Sequence, residues 1–87
     1  MKEYLLYPEA SLRIFSEACA FFKKQYPFFE KKQLLEDVDG SLLQYYTLTD
    51  FKVIIILDLD WESEIIIKTD IALDGFIKKW LKYKEKI

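Results

Sequence analysis

This chain has no histidine, one cysteine, two glycines and two prolines among its 87 residues. The missing histidine removes the commonest general base and the usual neutral ligand of zinc, copper and non-haem iron. Serine–histidine and cysteine–histidine dyads are excluded with it. The lone Cys19 cannot form a disulfide within the chain, which fits a reducing compartment. Gly40 and Gly75 alone cannot build a phosphate-cradling loop. The opening Met1-Lys2-Glu3-Tyr4 lacks the long apolar stretch of a signal peptide, and no run of about 18 apolar residues occurs to span a membrane. These absences predict a cytoplasmic protein that is not an enzyme and needs neither cofactor nor metal.

What is present is apolar bulk. Hydrophobic residues make up 52% of the chain and aromatic residues 17%, far too much for a disordered segment. The length predicts one domain over residues 1–87. A domain this small buries roughly 60–65% of its unfolded surface, so its stability margin is thin and a dimer partner would help it. The net charge is only −2, but it is unevenly spread. Residues 50–74 hold seven carboxylates against Lys52 and Lys68, while residues 75–87 hold five lysines against Glu85. An acidic middle repels phosphate, so direct nucleic-acid binding is not expected there. The lysines of the last segment are read as a solvated helix face.

Leu12, Phe15, Cys19, Phe22 and Tyr26 recur at spacings of three and four, with Ile14, Ala18 and Phe21 widening the stripe. The pattern predicts a helix from about Pro8 to Tyr26, with Pro8 in its first turn and Pro27 ending it. On this stripe Cys19 is a packing residue rather than a nucleophile. Phe28, Leu34, Leu35 and Val38 suggest a short second helix or an ordered loop, and Asp37-Val38-Asp39-Gly40 reads as a turn. Ser41–Thr49, Phe51–Asp58 and Ser63–Lys68 alternate as strands, with connections too short for anything but antiparallel pairing. The last segment, about Asp70 to Lys86, reads as a helix capped by Thr69 or Asp70, its regular part beginning as late as Asp74. Phe76, Trp80, Tyr83 and Ile87 form its stripe, beside Ile77 and Leu81. The expected fold is therefore α+β in two layers, α-β-β-β-α, with a three-stranded antiparallel sheet packed by an N-terminal and a C-terminal helix.

Period-two geometry divides the sheet. Leu42, Tyr46, Leu48, Val53, Ile55, Leu57, Ile65 and Ile67 form a face without charges, with Gln44 on the same side, and this is where the helices should pack. The other face holds Leu43, Tyr45, Ile54, Ile56 and Ile66, rimmed by Lys52, Asp58, Glu64 and Lys68. An apolar centre inside a charged rim is how protein interfaces are built. The competing expectation is that residues 27–40 or the N-terminus fold over this face.

The turn joining the last two strands gathers Asp58, Asp60, Glu62 and Glu64 around Trp61. The alternation looks like a divalent-ion loop, but the glycine such a loop needs at its sixth position is missing, and Trp61 interrupts it. A solvated hairpin end is the simpler reading, and a recognition surface anchored by Trp61 the sharper one. The α-β-β-β-α order is similar to that of double-stranded-RNA-binding domains. The resemblance is one of topology, and it implies a lysine cluster at the start of the last helix, where this chain has Asp70 and Asp74.

The function expected from these residues is a small binding protein that acts by occlusion, of the inhibitor, immunity-protein, antitoxin or anti-defence type. Its candidate surfaces are the acidic hairpin end (Asp58, Asp60, Trp61, Glu62, Glu64) and the second sheet face (Leu43, Tyr45, Ile54, Ile56, Ile66). Its expected partner is another protein, basic or nucleic-acid-handling. The alternative is a homodimeric adaptor or chaperone-like protein that associates through its sheet.

Overall fold

The computed structural model describes residues 1–59 and 63–85. Their order is β1 (Lys2–Tyr7), α1 (Leu12–Gln25), β2 (Glu30–Glu36), β3 (Leu42–Leu48), β4 (Phe51–Asp58), β5 (Glu64–Thr69) and α2 (Asp74–Glu85). The class is α+β as expected, but the sheet has five strands in the order β1-β5-β4-β3-β2 instead of three. Every neighbouring pair is antiparallel. β1 and β2 therefore run the same way at opposite edges, and α1 carries the chain from one edge to the other.

The two additional strands are the segments least legible in the sequence. Lys2–Tyr7 alternates for only two periods before a bulge between Leu5 and Tyr7. Glu30–Glu36, expected as a helix or loop, contains a second bulge between Lys31 and Leu34, which breaks its alternation as well. Each adds itself to an edge of the sheet, so neither covers the second face. The five-stranded sheet, opening on a strand, also departs from the α-β-β-β-α order of the RNA-binding domains.

Helix α1 begins later than Pro8, which lies in the bend after β1. Ser11 sets the boundary: it is extended (φ −143°, ψ 118°) and its side chain accepts from the Ile14 N–H at 3.2 Å, satisfying one of the free amides of the first turn. Lys23 and Lys24 in the last turn suit the helix dipole. The start of α2 is held from β1: the Tyr4 hydroxyl accepts from the Leu73 N–H and donates to Asp74 Oδ1, each at 3.3 Å. Of the two residues expected to supply the cap, Thr69 instead ends β5 and Asp70 lies in the bend after it, where the Thr69 hydroxyl bonds both the N–H and the carbonyl of Ile71 at 3.1 Å.

The core lies between the helices and one face of the sheet. Val53, Ile55, Leu57, Ile65, Ile67 and Tyr46 meet Ile14, Phe15, Ala18, Phe22, Phe76 and Trp80 there, all essentially out of solvent. Leu42 and Leu48 lie half-buried at its margin, so the charge-free face is the covered one, as expected. Phe22 sits within 5.4 Å, centroid to centroid, of Tyr26, Phe29, Tyr46 and Phe76, so one side chain joins both helices, β3 and the loop before β2. Tilted and edge-on rings of this kind add to what their area alone contributes. The polar atoms brought inside are matched: Tyr46 donates to the Cys19 carbonyl (3.1 Å), Trp80 to the Leu6 carbonyl (2.8 Å), and Gln44 to the Lys32 carbonyl at the β2 bulge (2.6 Å). Among the described residues no buried side-chain nitrogen or oxygen lacks a partner. No helix among them is long and apolar enough to cross a membrane.

Candidate protein-binding face

Because α1 and α2 both pack on the Val53 side, the opposite side of the sheet carries no second layer among the described residues. The strand registers place Leu5 beside Ile66, Ile66 beside Ile56, Ile56 beside Leu43, and Leu43 beside Leu35. One apolar row therefore crosses all five strands, about 19 Å from edge to edge at the usual strand spacing. A second row runs beside it, from Glu3 through Lys68 and Ile54 to Tyr45. At the β2 side, Tyr45, Leu35, Thr47, Lys32 and Gln33 line a shallow depression.

Exposure varies steeply along the first row. Ile66 is 7% exposed and Ile54, in the second row, 8%, whereas Leu5 and Leu35 at the edges are 50% and 47% exposed. The central isoleucines are shielded by the flanking side chains of their own face. Leu43, Tyr45 and Ile56 are half-buried between these extremes. All five apolar residues expected on this face are on it. Leu5 and Leu35, which complete the row, escape a sequence reading because each sits beside a bulge that spoils the two-residue period.

Charge is sorted by the two ends of the face. Asp58 and Glu64 are direct cross-strand neighbours at one end. The turn after β2, with Asp37 and Asp39, lies at the same end: the Ser41 hydroxyl accepts from the Leu59 N–H at 2.9 Å, and Gly40, at φ +89°, lies where an added Cβ would come within 3.3 Å of the Leu59 side chain. The Ser41 N–H donates to Asp39 Oδ1 at 2.9 Å, and this bonding holds the Asp39 carboxyl below its ordinary pKa. The other end carries Lys52 and two exposed ion pairs, Lys68–Glu3 (3.8 Å) and Lys32–Glu30 (3.1 Å). Asp60, Trp61 and Glu62, the remainder of the expected hairpin-end site, lie outside the described residues.

The covered side offers little reactivity. Burial pushes the Cys19 thiol up to about 11, against the opposing hydrogen bond with Tyr46 and the positive charge of Lys31. It is therefore protonated, and a weak nucleophile, at neutral pH. Burial likewise raises the Tyr46 phenol, reinforced by Cys19 beside it. Among the described residues no three cysteine, aspartate or glutamate side chains gather as a metal site would require. What the described surface can do chemically is bury apolar area, present fixed charge at both ends of one face, and exchange backbone hydrogen bonds at a strand edge. No protein-family model, no curated protein and no solved structure matches this chain.

Proposed function

We propose that this chain is a protein-binding module that docks a partner on its open sheet face and acts by covering the surface it binds. The observation that carries the reading is the apolar row Leu5–Ile66–Ile56–Leu43–Leu35, which crosses the whole sheet on the side away from both helices. An apolar row rimmed by charge is the arrangement on which protein interfaces are built. The carboxylates at the Asp58–Glu64 end favour a partner whose contact surface is apolar with basic groups along one side, and they disfavour nucleic acid.

The substitutions that test this are set by the exposure gradient. Ile54 and Ile66 are too buried to carry a charge without unfolding the sheet, so the probes belong on Leu5 and Leu43. Immobilised wild type is compared with Leu5→Asp/Leu43→Asp and, as a control on the helix side, with Lys78→Glu. The expected result is a protein retained by wild type and control but weakened by roughly thirtyfold on the double variant, the loss of one interface hot spot. Equal retention on all three, with circular dichroism unchanged, removes the face as the binding surface.

A further inference from the structure

We infer that the β2 edge is a self-pairing surface: two copies of this chain join antiparallel through β2 about a two-fold axis at Leu34, fusing their sheets into one. This goes beyond the open-face reading and uses different residues. The starting point is that every residue of β2 is exposed, although it is a full strand of the sheet. It bonds β3 on one side and, among the described residues, has no strand on the other. The opposite edge is handled differently: α2 packs on β1 and Trp80 donates to the carbonyl of the bulged Leu6. An edge strand left open is a template for another chain.

The pattern along β2 names that chain. Lys31, Leu34 and Glu36 stand opposite Tyr46, Gln44 and Leu42, which are successive same-face positions of β3. The bulge absorbs the extra residue between Lys31 and Leu34. On the helix side, β2 therefore reads positive, apolar, negative at even spacing. Such a pattern is its own complement. A two-fold axis through Leu34 brings the two Leu34 side chains together, sets Lys31 against Glu36 of the second copy, and sets Glu36 against its Lys31. On the open side, Lys32 and Gln33 meet the second copy's Leu35, covering a leucine that is 47% exposed in one copy. Moving the axis one position either way leaves Lys31 or Glu36 without an opposite charge. The same axis sets Glu30 against Asp37 of the second copy, a like-charge contact that the Lys32–Glu30 ion pair (3.1 Å) offsets. Lysines and a bulge also serve to keep edges apart, but that role gives no reason for Glu36 on the same side as Lys31 or for two exposed leucines between them.

The test is charge exchange, read by sedimentation velocity from micromolar to submillimolar concentration. Wild type should form a dimer. Lys31→Glu alone and Glu36→Lys alone each place like charges opposite one another twice, and each should dimerise roughly tenfold or more weakly. An equimolar mixture of these two variants should recover the wild-type dimer, because each then faces its complement, and so should the double variant Lys31→Glu/Glu36→Lys. Both positions are exposed, so circular dichroism should not change. A wild type that stays monomeric throughout overturns the inference, as does a mixture that fails to recover association. Leu5→Asp/Leu43→Asp should leave the dimer intact; a dimer lost only there would place self-association on the open face instead.

Discussion

Ile66 and Ile67 are neighbours in sequence, identical in side chain, and 7% and 0% exposed, yet they stand on opposite faces of one sheet. Ile67 is packed between the sheet and two helices. Among the described residues Ile66 is surrounded only sideways, by Leu5, Ile56 and the rest of its own face. Fractional exposure barely separates them, but the presence or absence of a second layer does. A residue with atoms above it leaves a cavity when it is shortened, whereas one open to water above leaves a dent that solvent fills.

The comparison is sharpest when both are truncated. Ile67→Ala should cost about 3–4 kcal/mol, the transfer of the lost methyl and methylene groups plus a cavity that the aromatic cluster cannot collapse into. Ile66→Ala should cost about 1–2 kcal/mol, close to the transfer term alone. Both are read from urea unfolding of dilute protein, where the midpoint shift at constant slope gives the difference. Equal losses would break the comparison, and a loss at Ile66 as large as that at Ile67 would mean that something lies on the open face.

The two faces were also unequally legible. The covered face could be read from the sequence because Val53, Ile55 and Leu57 alternate with Ile54 and Ile56, and the charges at the strand ends, Lys52, Asp58, Glu64 and Lys68, all fall on the second set and decide which side is wet. The centre of the open face followed from the same alternation. Its width did not, because Leu5 and Leu35 belong to strands whose alternation is broken by bulges, and because a six-residue strand of mixed charge such as Lys2–Tyr7 has no local signal that outweighs a loop. Pairing with β5 and β3 decides those segments, and pairing is a long-range property. The start of α2 at Asp74 is legible from Gly75, which weakens the turn before it, but its cap is not: the polar partner is Tyr4, on a strand far away in the chain, and neither Thr69 nor Asp70 takes that role.

A smaller effect probes the chemistry of the covered side. The Cys19 thiol is raised from 9.0 to about 11 by burial, so the folded chain holds its proton where the unfolded chain has lost it. The stability this contributes is fully present below about pH 9 and is lost as the pH rises through 11. By pH 10.5 the loss should be about 1–2 kcal/mol, and Cys19→Ala should remove that part of the decline while leaving the part owed to Tyr46, whose phenol is raised in the same direction. Unfolding curves at neutral pH and at pH 10.5, in reductant, decide it. If wild type and Cys19→Ala decline in parallel, the thiol is not shielded and α1 does not sit on the sheet as described.

The smallest expected effect is the most informative about the open face. Leu5 ends the apolar row on β1 and is 50% exposed, with neither a helix nor a further strand beside it on that side among the described residues. In a chain whose open face meets water, Leu5→Ser removes little buried area and should change stability by no more than about 0.5 kcal/mol, the range of ordinary surface substitutions. Because Leu5 lies across the sheet from β2, pairing of β2 edges would leave this value untouched. Differential scanning calorimetry at two well-separated protein concentrations reads it. A cost near zero at both confirms that the row's ends are wet, and it leaves their apolar area available to a partner. A cost that climbs above about 1.5 kcal/mol only at the higher concentration would be the mass-action signature of a second copy seated on the face itself, and it would move self-association from the strand edge to the sheet surface.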